Sequence, residues 1–143
     1  MNKKTGFTLV EILVVVTIIG MLAAIGVASY TTFTKNARNA RRKADLEQIR
    51  AAIELYRSNN NTYPTSLTVN CSSVGGITDG SGNTYMSQLP LDPKCNTYSY
   101  YYTASASDYT LGTYLEGSTT TCASPPSCSG ASCNYCVGPY GTK

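Results

Sequence analysis

The chain has 143 residues, a formal net charge of +3, six cysteines, twelve tyrosines and no histidine or tryptophan. Once a leader and a long helix are set aside, about 80 residues remain for a folded part, which means one small domain with a thin core. The absence of histidine, eight scattered carboxylates, and no glycine-rich phosphate loop or nucleophile motif leave no catalytic constellation, so an enzyme is not expected.

The charge is unevenly placed. Lys3 and Lys4 precede an apolar stretch that carries only Glu11, seven basic residues follow between Thr31 and Arg57, and the rest of the chain is net acidic. General affinity for polyanions therefore does not follow.

Phe7 to Tyr30 is about 24 residues, roughly 36 Å as a helix, which is enough to cross a hydrocarbon core of about 30 Å. A cleaved secretory signal ending at Ala23-Ala24 or Ala28-Ser29 is the competing interpretation, but its core would be too long and would contain an acid. A carboxylate costs up to about 2.5–3.5 kcal/mol at a helix centre in lipid and less near the interface. Glu11 either snorkels to headgroups or meets a positive charge supplied by a partner.

Gly6-Phe7-Thr8-Leu9-Val10-Glu11 resembles the cleavage motif of type IV pilins and type II secretion pseudopilins. The resemblance implies that a prepilin peptidase cuts between Gly6 and Phe7 and methylates the new N-terminal Phe7, leaving 137 residues with Glu11 as the fifth. It also implies that the Glu11 carboxylate meets the N-terminal amine of a neighbouring subunit during assembly, an attraction that strengthens in low dielectric. Gly20 falls where the family commonly has glycine, whereas Ala28 stands where many members have a helix-breaking proline. The basic residues Lys35, Arg38, Arg41, Arg42 and Lys43 outweigh Lys3 and Lys4 in a positive-inside count. The downstream cysteines and the motif instead place the C-terminal part beyond the membrane.

The helix is expected to continue through residues 31–58, with no proline or glycine before Pro64. Phe33, Ala37, Ala40 and Ala44, then Leu46, Ile49, Ile53 and Tyr56, recur at spacings of three and four and predict the face that rests on a head domain. The cluster Arg38, Arg41, Arg42 and Lys43 reads as a solvated, lipid-facing or subunit-pairing surface. Nucleic acid is not an expected partner, because no aromatic residues interleave with these basic ones. Asn59-Asn60-Asn61 ends the helix.

The head is assigned to residues 59–116. Tyr63-Pro64 and Leu89-Pro90-Leu91-Asp92-Pro93 are similar to the major pseudopilin pattern. Thr97–Thr103 and Tyr109–Leu115, rich in tyrosine and β-branched residues, predict an antiparallel hairpin across a turn at 104–108. Its tyrosines suit a sheet packed over a helix. Asp79-Gly80-Ser81-Gly82-Asn83 alternates oxygen ligands but lacks the closing glutamate of a calcium loop and reads as a glycine turn.

Residues 117–143 form a Cys-rich segment with almost no apolar pattern, held only by cross-links. Cys71, Cys95, Cys122, Cys128, Cys133 and Cys136 allow fifteen disulfide pairings, among which Cys71 with Cys95 and the last four among themselves is the expected grouping. Four thiolates could also hold zinc, but paired CxxC knuckles are missing, and the lone CxxC lacks the setting of a redox enzyme. No metal and no cofactor are expected.

The expected fold is α+β and pilin-like: a leader at 1–6, a transmembrane and filament-core helix at 7–30, its amphipathic half at 31–58, and a small antiparallel-sheet head. The expected function is that of a structural filament subunit. It would sit in the inner membrane with its head periplasmic or extracellular, then enter a homo- or hetero-filament, its partners being prepilin peptidase, an inner-membrane assembly platform and lipid. Three alternatives are a tip adhesin or DNA-uptake pilin, a membrane-anchored ectodomain that never polymerises, and a disulfide-rich secreted protein.

Overall fold

A computed structural model describes residues 6–71 and 73–143; Lys3, Lys4 and the rest of the leader before Gly6 lie outside the described residues. The chain divides into two compact units, the first ending at Asn36 and the second running from Ala37 to Lys143. One helix, α1 (Leu9–Asn60), contributes to both.

In the first unit α1 starts in a capping box. The Thr8 hydroxyl accepts from the Glu11 amide at 3.3 Å, while the Glu11 carboxylate accepts from the Thr8 amide at 3.1 Å and its hydroxyl at 3.0 Å. The helix runs unbroken through Ala28, the position where related sequences often carry proline. At its far end Asn61 turns left-handed (φ 57°) and donates its amide to the Arg57 carbonyl at 2.8 Å, closing the last turn.

The second unit packs the rest of α1 against three antiparallel sheets. Two are short ribbons: β1 (Val69–Asn70) with β2 (Ser73–Val74), and β3 (Ile77–Thr78) with β4 (Thr84–Met86). The third has the order β5–β6–β7–β8, from β5 (Tyr101–Ala104), β6 (Tyr109–Thr113), β7 (Tyr135–Gly138) and β8 (Gly141–Thr142). The anticipated hairpin is β5–β6, in register from Tyr101 opposite Gly112 to Ala104 opposite Tyr109. The segment from 117 onward, read as a cross-linked tail, supplies β7 and β8. Val137 is fully buried, and Leu111 faces it across β6 and β7.

The core joins Leu46, Ile49 and Ile53 of α1 to Tyr63, Leu89 and the inward face of the sheet. Tyrosines fill it edge to face: the rings of Tyr63 and Tyr109 lie 4.8 Å apart at 70°. Their hydroxyls find acceptors, from Tyr100 to Asp45 at 2.6 Å, from Tyr109 to Glu54 at 3.0 Å and from Tyr102 to the Pro64 carbonyl at 2.7 Å. Burial first, then the neighbouring carboxylates, pushes the Tyr100 and Tyr109 hydroxyls well above the ordinary phenol range.

The helix face differs from the one expected along its upper part. Phe33, Ala37, Ala40 and Ala44 are exposed. The buried stripe that runs through Leu46, Ile49 and Ile53 continues backward through Arg42, which is fully buried, to half-buried Arg38. Of the expected solvated cluster, Arg41 and Lys43 are exposed, whereas Arg42 is buried and Arg38 half-buried because acids from the head reach up to meet them.

Candidate functional site

The N-terminal segment of the first unit has a single chemical character. Every large apolar side chain from Phe7 to Phe33 stands exposed, and none of the most apolar stretch is buried by the fold. In water such a surface would cost about 25 cal/mol per Å² of apolar area, so it requires lipid or other protein around it. Glu11 is the only charge in the Phe7–Tyr30 span, and its carboxylate is turned back over the first helical turn onto Thr8. That places it on the Phe7–Thr8 peptide amide, one residue from the Gly6–Phe7 bond, at the positive end of the helix dipole. Gly6 and Phe7 precede the helix in irregular, exposed backbone. The capping box itself has a sequence signal, Thr-x-x-Glu before an apolar run, separate from the charge of Glu11.

In the second unit an ionic cluster ties the head to α1. Arg42, completely buried, donates from Nε and Nη2 to both oxygens of Asp92 at 2.7 and 3.0 Å, and from Nη1 to Glu116 at 3.0 Å. Arg38 forks onto Glu116 at 2.7 and 2.8 Å, and the Lys94 ammonium reaches it at 2.9 Å. Asn39 adds a two-way bond to the Glu116 backbone, donating to its carbonyl and accepting from its amide, both at 2.9 Å. Arg38, then Lys94 and Arg42, hold the Glu116 carboxyl far below the usual carboxylate range against the opposing effect of burial. Asp92 comes from the Leu-Pro-Leu-Asp-Pro run, and Leu89 at its start is in the core. The motif thus delivers one apolar anchor and one buried acid, separated by a rigid Pro-Leu step.

The six cysteines form three bridges: Cys71–Cys95, Cys122–Cys136 and Cys128–Cys133. The last four build their own buried cluster against Tyr101 and Tyr114. Gly112 on β6 makes room for it, since a Cβ there would lie 3.0 Å from the Cys133 sulfur and 3.4 Å from that of Cys136.

The turn at Asp79 is filled by its own donors. Its carboxylate accepts from the amides of Ser81 and Asn83, the Asn83 side chain and the Tyr85 hydroxyl, all at 2.7–2.9 Å. Bonds from Asn83 and Tyr85 hold this carboxyl far below its ordinary value. These four bonds make the group the knot of the β3–β4 turn.

Comparison with known proteins gives two family matches along the chain. Residues 1–27 match the prokaryotic N-terminal methylation motif, and residues 29–120 match the family described as type II secretion system (T2SS), protein G. The chain is 34% identical over 109 residues to the type II secretion system core protein G of Pseudomonas aeruginosa, covering 69% of this chain and 74% of that one. It is 32% identical over 105 residues to the protein of the same name from Vibrio cholerae, with coverages of 70% and 72%. It is also 34% identical over 79 residues to a type IV narrow pilus major component of Thermus thermophilus, covering 55% and 68%. No solved structure gives a match.

Proposed function

Because the chain belongs to the type II secretion system protein G family and is a structural filament subunit processed at an N-terminal methylation motif, we propose that it is a major pseudopilin whose assembly is gated by its own cleavage. Removal of residues 1–6 creates an amine on Phe7, four residues from Glu11. The carboxylate that caps its own helix before assembly would then share that role with the amine of a neighbouring subunit, so that two charges unfavourable alone in an apolar filament core neutralise each other.

The observation that carries this proposal is the uncovered apolar first segment, from Phe7 to Phe33, with one carboxylate at its start. Lipid covers that surface while the subunit waits in the cytoplasmic membrane, with the cysteine-bearing head outside. Other copies cover it in the filament, so loading requires transfer by an inner-membrane assembly platform. The subunit contributes packing rather than catalysis, consistent with a structural family and a chain without histidine.

Intact mass and N-terminal sequencing of the protein from its native cell test the cleavage. A chain starting at methylated Phe7 is expected, and retention of Met1 or a start beyond Ala23 would refute it. Glu11→Ala should insert into membranes normally and fail to enter filaments; normal filaments from that variant would remove the charge-pair role.

A further inference from the structure

Beyond residue 120, where the family match ends, the chain carries four of its six cysteines, and their bridges are nested: Cys122–Cys136 spans 14 residues and encloses Cys128–Cys133, which spans 5. Before this segment folds, chain statistics favour a different set. Cys122 is six residues from Cys128, and Cys133 three from Cys136. Closure probability falls with loop length, and closing the inner loop shortens the outer one only in part, so the two consecutive bridges are favoured over the nested pair several-fold.

The nested set becomes the better one only with the sheet in place. Cys136 sits in β7 opposite Gly112 of β6, next to Val137 in the core, and the Cys133 and Cys136 sulfurs both press on Gly112. A Cys133–Cys136 bridge would break that arrangement, since each sulfur is committed elsewhere. All four cysteines are at most 5% exposed once folded, so exchange must precede the docking of β7.

We propose that the nested bridges arise by rearrangement of a consecutively bridged precursor, and that this segment is a substrate for a thiol–disulfide isomerase. Each precursor bridge forms when two thiols give two electrons and two protons to a disulfide oxidant, which leaves as two thiols. The isomerase thiolate then attacks the Cys128 sulfur, forming a mixed disulfide and expelling the Cys122 thiolate. Cys122 attacks the Cys136 sulfur and expels Cys133, and Cys133 attacks the Cys128 sulfur and releases the enzyme thiolate. The exchange consumes no electrons, and pairing of β6 with β7 draws it to completion.

The test refolds the reduced full-length chain in detergent micelles with a thiol-free oxidant, alone or with catalytic amounts of a purified disulfide isomerase in a glutathione buffer. Bridges are trapped by alkylation and mapped by partial reduction. Oxidant alone is expected to give mainly Cys122–Cys128 with Cys133–Cys136, and the isomerase to bring the nested set about tenfold faster or more. A nested set formed directly by oxidant alone would overturn the proposal, as would a consecutive set that the isomerase leaves unchanged. In a Cys128→Ser, Cys133→Ser double variant, Cys122–Cys136 should form without the enzyme; continued dependence would also count against it.

Discussion

Replacing Arg42 by methionine keeps most of its stem volume and removes only the guanidinium, which isolates the electrostatic part of the head–helix junction. Asp92, also without exposed side-chain surface, then loses both of its bonds to Arg42 and keeps only the Lys94 amide at 2.7 Å. Glu116 is affected less, because Arg38 and Lys94 remain on it. The cost therefore concentrates on one stranded buried carboxylate, for which about 3–5 kcal/mol is typical. For a folded unit running from Ala37 to Lys143, that is a fall in melting temperature of about 12–20 °C. The assay is tyrosine near-UV circular dichroism of the full chain in detergent micelles, with temperature as the variable. Adding Asp92→Asn to Arg42→Met removes the stranded charge and should restore part of the loss. A melting temperature within about 4 °C of the parent for Arg42→Met, or no recovery in the double variant, would refute the assignment of the penalty to Asp92.

Glu116 gives an acid limb: its folded-state value is depressed, so its contribution is complete above the unfolded value of about 4.3 and is lost as pH falls through the lower folded value. Stability should decline below about pH 4, and Glu116→Gln should flatten that decline in denaturant titrations; an unchanged acid limb would count against it. Gly112→Ala forces a Cβ to 3.0 Å from the Cys133 sulfur and should cost about 1–3 kcal/mol, read as a lower urea midpoint at unchanged slope. Under mild reductant Cys71–Cys95, half-exposed on both sides, should open before the buried pairs, as followed by timed alkylation; simultaneous opening would contradict the burial.

The long helix, the uncovered apolar segment and the β5–β6 hairpin were legible because each is written in local periodicity or composition. The helix phase above Leu46 was not. Ala37, Ala40 and Ala44 satisfy the spacing, but a methyl group carries too little transfer free energy to decide which way a helix faces. Extending the stronger stripe of Ile53, Ile49 and Leu46 backward by fours and threes reaches Arg42 and Arg38, a pair that looks solvent-bound until its acids are found. Those acids lie 50 and 74 residues away in sequence, and one chain alone carries no sign of the pairing. The Thr8 cap is legible in the Thr-x-x-Glu pattern alone, because a capping box joins residues three apart.

The segment beyond residue 117 was the least legible, for a physical reason: its strand is short and its neighbours are serine, threonine, glycine and proline. Yet β7 lies between β6 and β8, so the sheet cannot close without it. A thin core needs a staple, and here the staple and the missing strand are the same piece of chain. Cross-linking Cys136 to Cys122 confines β7 to the neighbourhood of β6, which lowers the entropy lost when Val137 docks against the core. The sheet in turn selects which cysteines stay paired, through the space that Gly112 leaves open. Oxidation and folding of this head are thereby coupled.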